Sequence, residues 1–284
     1  MKVIAYASIN KFIDDNLEIL LKEESINQLL IFSTLSKKDL LTNDNLIAGK
    51  VIDKNNEVSL IYFNNEPFNL LAYCPNETVN VDAIKSLAEY IFNKKIRISG
   101  INANKAICET FIRYYKRLTK ANFNQHLAMD IMEISNLNDC TIPEGKFSQA
   151  TLNYLPLLSK WYKNFLLEAT HEVIDLDSAT ASMKDKIESK TIYIFENKFG
   201  HPVSMAAVAR KLKNSSSINL VYTDKDFRGK KYGLAIVFNL TKLLLQKDNK
   251  FCSLFVDKSN PISNKIYKEI GFKILDNNYD YRIS

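Results

Sequence analysis

The residues best suited to chemistry lie in one run near the C-terminus, VYTDKDFRGKKYGLAIVFNLTKLLL, which begins at Val221. A β-like stretch with Ile218, Leu220 and Tyr222 in alternation breaks at Thr223-Asp224. A helical stretch with Leu234, Val237, Phe238, Thr241, Leu244 and Leu245 on its apolar side follows. Between them stands the basic loop Arg228-Gly229-Lys230-Lys231-Tyr232-Gly233, which holds two of the chain's seven glycines. The first N–H groups of a helix have no intrahelical acceptor and the helix dipole is positive there, so such a loop suits phosphate oxygens. Arg228, Lys230 and Lys231 add positive charge. The plain alternative is a strand-to-helix connection that happens to be basic, and this segment alone does not separate the two.

A second segment, FCSLFVDKSNPISNKIYKEIGFKI, follows about thirty residues on. Asn260 is a good helix cap, Pro261 suits the first helical position, and Gly271 ends the helix where a left-handed residue is wanted. Ile262, Ile266 and Ile270 form an apolar stripe. Ser263 and Tyr267 are four apart, with Asn264 three before Tyr267, so these polar groups cluster on another face. Tyr267 reads either as a packing tyrosine or as a phenol turned toward a ligand.

Together the two segments resemble the GNAT acetyltransferases. In that family's motif A, Arg/Gln-x-x-Gly-x-Gly/Ala lies between the fourth strand and the third helix; Arg228 matches the first position and Gly233 the last, while Lys231 stands where the first glycine is usual. The lysine is expected to take a backbone conformation open to non-glycine residues, with its amide pointing differently from glycine's. The run N-P-x-S-N-x-x-Y-x-x-x-G-F is similar to motif B.

The resemblance implies that amides of Gly229, Lys230, Lys231, Tyr232, Gly233 and Leu234 hold the diphosphate of acetyl-CoA, with Arg228 beside them. It implies that Asn260, Ser263 and Asn264 also contact the coenzyme, and that Tyr267 is the general acid. The backbone of Leu220, Val221, Tyr222 and Thr223 is expected to pair with the pantetheine arm, through a bulge in 219–223 and a parting from the strand 251–257. An amide near Val221 would then meet the thioester oxygen.

The implied reaction is direct attack by a primary amine of a small molecule or peptide on acetyl-CoA, an acyltransferase activity without an acyl-enzyme. Transfer of another acyl group, and a CoA-binding sensor or interaction protein without catalysis, remain open. Glu196, Glu172 and His201 are titratable candidates for a base; none is singled out, and a water chain is a further option.

The elements that position these residues repeat. The first half reads as helices over 9–22 and 24–36, strand-like runs LIAGKVID, EVSLIYF and FNLLAYC, a helix over 80–92, the strand KIRISGI, a helix over 103–118 and the strand FNQHLAMDIMEI. The second half reads as helices over 148–169 and 177–188, strands TIYIFEN, PVSMAAVAR and SINLVYT, a helix over 231–246, the strand FCSLFVD, a helix over 261–270 and one or two closing strands. The expected fold is therefore α/β (α+β), two GNAT-like units in tandem. Each unit is a mixed, mostly antiparallel sheet flanked by helices, with residues 1–127 a degenerate copy and 128–284 the acetyltransferase. Where the first half should carry the phosphate loop it reads PNETVNVDAIKSL, with acid in place of base.

Composition narrows the rest. With 46% hydrophobic and 25% charged residues the 284-residue chain is that of a folded protein long enough for two domains. The net charge of +6 is dispersed among 32 acidic residues and joins no nucleic-acid-binding signature, so no nucleic-acid partner is expected. Cys74, Cys108, Cys140 and Cys252 lie far apart, and His126, His171 and His201 have no metal-ligand spacing, so neither a metal nor a disulfide framework is expected. No run approaches the roughly 18 apolar residues of a membrane span, and a cytoplasmic protein is the expectation.

Overall fold

A computed structural model describes residues 1–75 and 79–284. Its twenty main elements fall into two series of identical order. The first is β1 (Lys2–Ala5), α1 (Ile9–Leu21), α2 (Glu24–Leu35), β2 (Leu46–Ile52), β3 (Val58–Asn65), β4 (Leu70–Tyr73), α3 (Val81–Asn93), β5 (Gly100–Ala103), α4 (Lys105–Thr119) and β6 (Phe123–Ile134). The second is β7 (Gly145–Gln149), α5 (Leu155–Ala169), α6 (Leu176–Glu188), β8 (Ile192–Asn197), β9 (Pro202–Lys211), β10 (Ser215–Thr223), α7 (Tyr232–Gln246), β11 (Phe251–Asp257), α8 (Pro261–Ile270) and β12 (Lys273–Ile283).

Each series opens with a short strand that the sequence reading did not separate. The expected helix over 148–169 starts only at Leu155, after β7, because Pro156 sits in its first turn and resists extension toward the N-terminus. The run KIRISGI becomes strand only from Gly100.

The chain divides into two compact units, Met1–Asp130 with Asp276–Ser284, and Ile131–Leu275. In the first, β1, β2, β3 and β4 pair antiparallel in turn, and β4 runs parallel to β5. The last strand of the chain then pairs antiparallel with β5, from Tyr279↔Ala103 to Arg282↔Gly100. Its core gathers Leu60, Tyr62, Leu70 and Ile101 from the sheet, Ala83, Ile84, Leu87, Ala88 and Ile91 from α3, and Phe111 from α4. That α3 stripe has the helical spacing seen in the sequence.

The second unit repeats the plan: β7, β8, β9 and β10 pair antiparallel, and β10 runs parallel to β11. Its sheet is covered on both faces. Leu234, Ala235, Val237 and Leu240 of α7 and Ile270 of α8 pack on Ile218, Cys252, Leu254 and Val256. On the other face Leu158 and Trp161 of α5 and Met183 and Ile187 of α6 pack on Ile192, Ile194, Met205 and Ala207. Met132 and Ile134, the end of β6, belong to the α7-side core.

Candidate active site

The turn from β10 into α7 is built by three local devices. Asp224 accepts a hydrogen bond from the Asp226 N–H at 3.1 Å and caps a 3-10 turn over Lys225–Phe227. Gly229 then takes φ +78° with open space where a side chain would stand, so glycine is there for its backbone angle. Lys231 follows in the left-handed region, φ 59° and ψ 18°, as the residue preceding α7, and it provides no side-chain cap. Lys231 thus carries a left-handed backbone that glycine favours and that L-residues adopt at a cost of roughly 1–2 kcal/mol.

The consequence is a helix entrance with unused donors. Ala235 N–H is the first to find a helical acceptor, at Lys231. Among the described residues the amides of Gly229, Lys230, Lys231, Tyr232, Gly233 and Leu234 have no internal acceptor. In the first unit the corresponding helix is closed differently: Asn80 caps α3 by accepting from the Ala83 N–H at 3.0 Å. Asn76, Glu77 and Thr78 of PNETVNVDAIKSL lie outside the described residues. Gly233 has a third role, close packing, since a Cβ there would stand 3.2 Å from Thr223 Oγ1 and 3.5 Å from Ile266.

The loop cations are less available than the sequence suggested. Arg228 donates from Nε to the Thr223 carbonyl at 3.1 Å and pairs through Nη2 with Glu168 at 2.8 Å. Lys225 stands 3.6 Å from the same carboxylate. Lys231 Nζ is 2.9 Å from Glu269 of α8. Lys230 has no carboxylate partner among the described residues; its ammonium lies 5.5 Å from the Phe227 ring centroid.

Beside the loop, β10 is broken. Its pairing with β11 runs from Ser215↔Phe251 to Ile218↔Leu254 and ends there. Its register with β9 shifts between Asn219↔Ala207 and Tyr222↔Met205, so two residues, Leu220 and Val221, oppose one. Leu220 takes φ 50°. A bulge with a parting of strands follows, and Leu220 and Val221 have a register partner on neither side. The bulge also inverts the alternation: Ile218 faces the α7 core, whereas Leu220 and Tyr222 face the α5–α6 core. The regular Ile218, Leu220, Tyr222 spacing implied one common face, which the extra residue removes.

Helix α5 grips this region through one face. Trp161 Nε1 donates to Asp224 at 2.7 Å, Asn164 to the Tyr222 hydroxyl at 3.3 Å, and Glu168 holds Arg228. Sequence reasoning missed these three. Their spacing of three and four is a helical face, but nothing local shows what that face meets.

On α8, Asn260 caps the helix by accepting from the Ser263 N–H at 3.0 Å, and Gly271 ends it at φ 118°. The Asn264 amide donates to the carbonyls of Asp257 and Asn260, each at 2.9 Å, tying the helix start to the end of β11. Both asparagines thus hold the helix in place with the atoms named. Tyr267 is 6% exposed and its ring meets Phe272 edge to face at 5.9 Å. Burial pushes its phenol above the usual tyrosine range, while the Ser263 side chain, one turn back, pulls the other way by hydrogen bonding.

Of the three base candidates, Glu196 is half-buried on β8 and accepts from the Tyr154 hydroxyl at 2.8 Å. Glu172 and His201 are exposed. Among the described residues no group of three or more His, Cys, Asp or Glu is arranged to hold a metal ion, and no helix is long and apolar enough to cross a membrane.

Residues 197–281, which contain both motifs, match the family model described as FR47-like protein. Over 99% of its length the chain is similar in fold to 95% of a GCN5-related N-acetyltransferase from Sphaerobacter thermophilus, with TM-score 0.62 and 11% identity. All of it aligns with all of a GNAT-family acetyltransferase from Colwellia psychrerythraea, with TM-score 0.54 and 11% identity. It also aligns throughout with 98% of a tandem GNAT protein from the clavulanic acid biosynthesis pathway, with TM-score 0.53 and 8% identity. No curated protein sequence matches it. The chain is a tandem of GNAT-like α/β units in its fold. Its second half carries the FR47-like match.

Proposed function

We propose that the second unit is an N-acetyltransferase that passes an acetyl group from acetyl-CoA to a primary amine of a small molecule or peptide. The observation that carries this reading is the run of amides from Gly229 to Leu234, without internal acceptors, at a helix start that lacks a side-chain cap. Oriented N–H groups at a positive helix end suit a diphosphate. The gap at Leu220 and Val221 suits the arm of the same ligand, since backbone groups left out of both ladders need partners.

In this arrangement the Val221 amide hydrogen-bonds the thioester oxygen as negative charge grows on it. The amine nitrogen bonds to the carbonyl carbon, the carbon–sulfur bond breaks, and the Tyr267 phenol gives its proton to the departing thiolate. A phenol kept neutral by burial is in the right protonation state for that donation. Asn260, Ser263 and Asn264 frame the helix that carries it, and water takes the proton from the attacking amine.

The test is direct. Acetyl-CoA should stabilise the protein against heat, increasingly so with the logarithm of its concentration above Kd, and thiol should be released when a suitable amine is added. Stabilisation without thiol release from any amine would favour the second reading, a CoA-binding sensor, which the Glu168 and Glu269 ion pairs also fit because they offset two of the loop's cations. A longer acyl-CoA turned over faster than acetyl-CoA would move the assignment to another acyl group.

A further inference from the structure

One polar row runs across three strands of the second unit. Arg210 on β9 is the register partner of Ser217 on β10, and Ser217 is the partner of Ser253 on β11. Opposed residues in a sheet share a face. It is the face away from α7, because Ile218, Cys252 and Leu254, the immediate neighbours along the strands, lie in the α7 core.

Ser217 is 1% exposed and Ser253 0%, and neither hydroxyl has a hydrogen-bond partner among the described residues. A hydroxyl buried without a partner is costly, and a valine would suit the same strand position better. Two of them side by side point to a partner that arrives from outside. Beside them the Arg210 guanidinium lies 5.5 Å from the Phe255 ring centroid. Phe255, two residues beyond Ser253, is just past the point where β10 and β11 part. Asn219, opposite Ala207 of the α5–α6 core, shares this face and is exposed.

We propose that this row is the acceptor subsite and that the acceptor is an amine bearing a carboxylate or similarly small anion. Arg210 and the hydroxyls of Ser217 and Ser253 hold the anion, and the amine is directed along β10 toward Leu220 and Val221. The proposal rests on the acyl-transfer reading for where the thioester lies. Burial lowers the Arg210 guanidinium to about 10, so it is charged at neutral pH. A charge-assisted bond from a half-buried guanidinium to a carboxylate is among the stronger polar contacts available, and planar fork geometry favours carboxylate over a point acceptor.

Matched pairs of acceptors test this: 4-aminobutanoate against butylamine, and 6-aminohexanoate against hexylamine. Binding is measured by calorimetry on the full chain saturated with CoA, and kcat/KM by thiol release from acetyl-CoA. The aminocarboxylate of each pair is expected to be preferred by roughly tenfold or more. Arg210→Gln should abolish the preference, Ser217→Ala should reduce it, and Arg210→Lys should retain part. Acetyl-CoA affinity should be the same in all three variants, which shows that they are folded. Equal binding of neutral and anionic amines to the unaltered protein, or a preference surviving Arg210→Gln, would overturn the proposal. Failure of acetyl-CoA to bind would instead overturn the acyl-transfer reading, and calorimetry of the same pairs on the chain without coenzyme would still decide the role of the row.

Discussion

Glu168 and Arg228 stand 2.8 Å apart, sixty residues separated in sequence, and join the end of α5 to the loop that enters α7. Both side chains are more than one third exposed, so the pair itself contributes at most about 1 kcal/mol to stability. A diphosphate held at this loop would have to share or displace Arg228. Glu168→Gln is expected to tighten acetyl-CoA binding, by up to about fivefold at low salt, with little change in thermal stability. Calorimetry at two ionic strengths checks it. Weaker binding in the variant would mean that Glu168 presents Arg228 to the ligand rather than withholding it.

Lys231 and Gly229 make opposite predictions. Lys231 sits at φ 59° where glycine would be unstrained, and its ion pair with Glu269 is on the surface. Lys231→Gly should therefore hold or raise the melting temperature, by roughly 2–4 °C per kcal/mol relieved, and keep acetyl-CoA binding. Gly229→Ala should lower it by a similar amount, since φ +78° strains any side chain although nothing crowds the position. A clear loss of stability in Lys231→Gly would show that the Glu269 contact, and not the backbone, governs this corner.

These local devices were legible in the sequence because each is written within a few residues: the glycines, the Asn260-Pro261 start and Gly271 stop of α8, and the helical stripe of α7. The repeat of element order was legible for the same reason. The bulge was visible only through the family resemblance, since Ile218, Leu220 and Tyr222 look like a regular strand until the register with β9 is known. The contacts of Trp161, Asn164 and Glu168 were not legible at all. Each joins residues about sixty apart, and a polar residue on a helix face carries no mark of its partner. Pairing of the chain's last strand with β5 is hidden for the same reason.

Tyr267→Phe separates acid from scaffold. The ring packs on Phe272 and stays buried in the variant, so the fold should be kept within about 1 kcal/mol. Thiol release should fall by roughly 10²-fold or more while acetyl-CoA binding is unchanged. An unaltered rate would leave the phenol a packing group.

Stability should fall on the alkaline side. Burial raises the Cys252 thiol from 9.0 to about 12 and also raises the Tyr267 phenol above its ordinary value. Both groups keep their protons longer in the folded chain than in the unfolded one. The contribution is therefore fully present below about pH 9 for Cys252 and about pH 10 for Tyr267, and is lost as pH rises above those values, at about 1.4 kcal/mol per pH unit for each group. Denaturant midpoints between pH 8 and 11 should decline, and Cys252→Ala should make the decline shallower. A flat profile would show that these groups titrate in the folded chain as they do when unfolded.

Trp161 is the chain's single tryptophan, and it is 2% exposed with its indole N–H on the Asp224 carboxylate. Asp224 also caps the turn that starts the basic loop, so ordering of that loop by a ligand would pass through the indole's immediate surroundings. Acetyl-CoA is expected to change the emission of the native protein, with the concentration dependence found by calorimetry. Trp161→Phe fills much of the same space but takes one donor from the half-buried Asp224 carboxylate, which keeps the Asp226 N–H, a loss of about 1 kcal/mol. It should also weaken acetyl-CoA binding through the loss of the Asp224 contact. Emission that ignores a saturating ligand would mean either that the loop binds nothing or that it is already rigid without it. Calorimetry on the same sample tells these apart, because only the second leaves a binding heat.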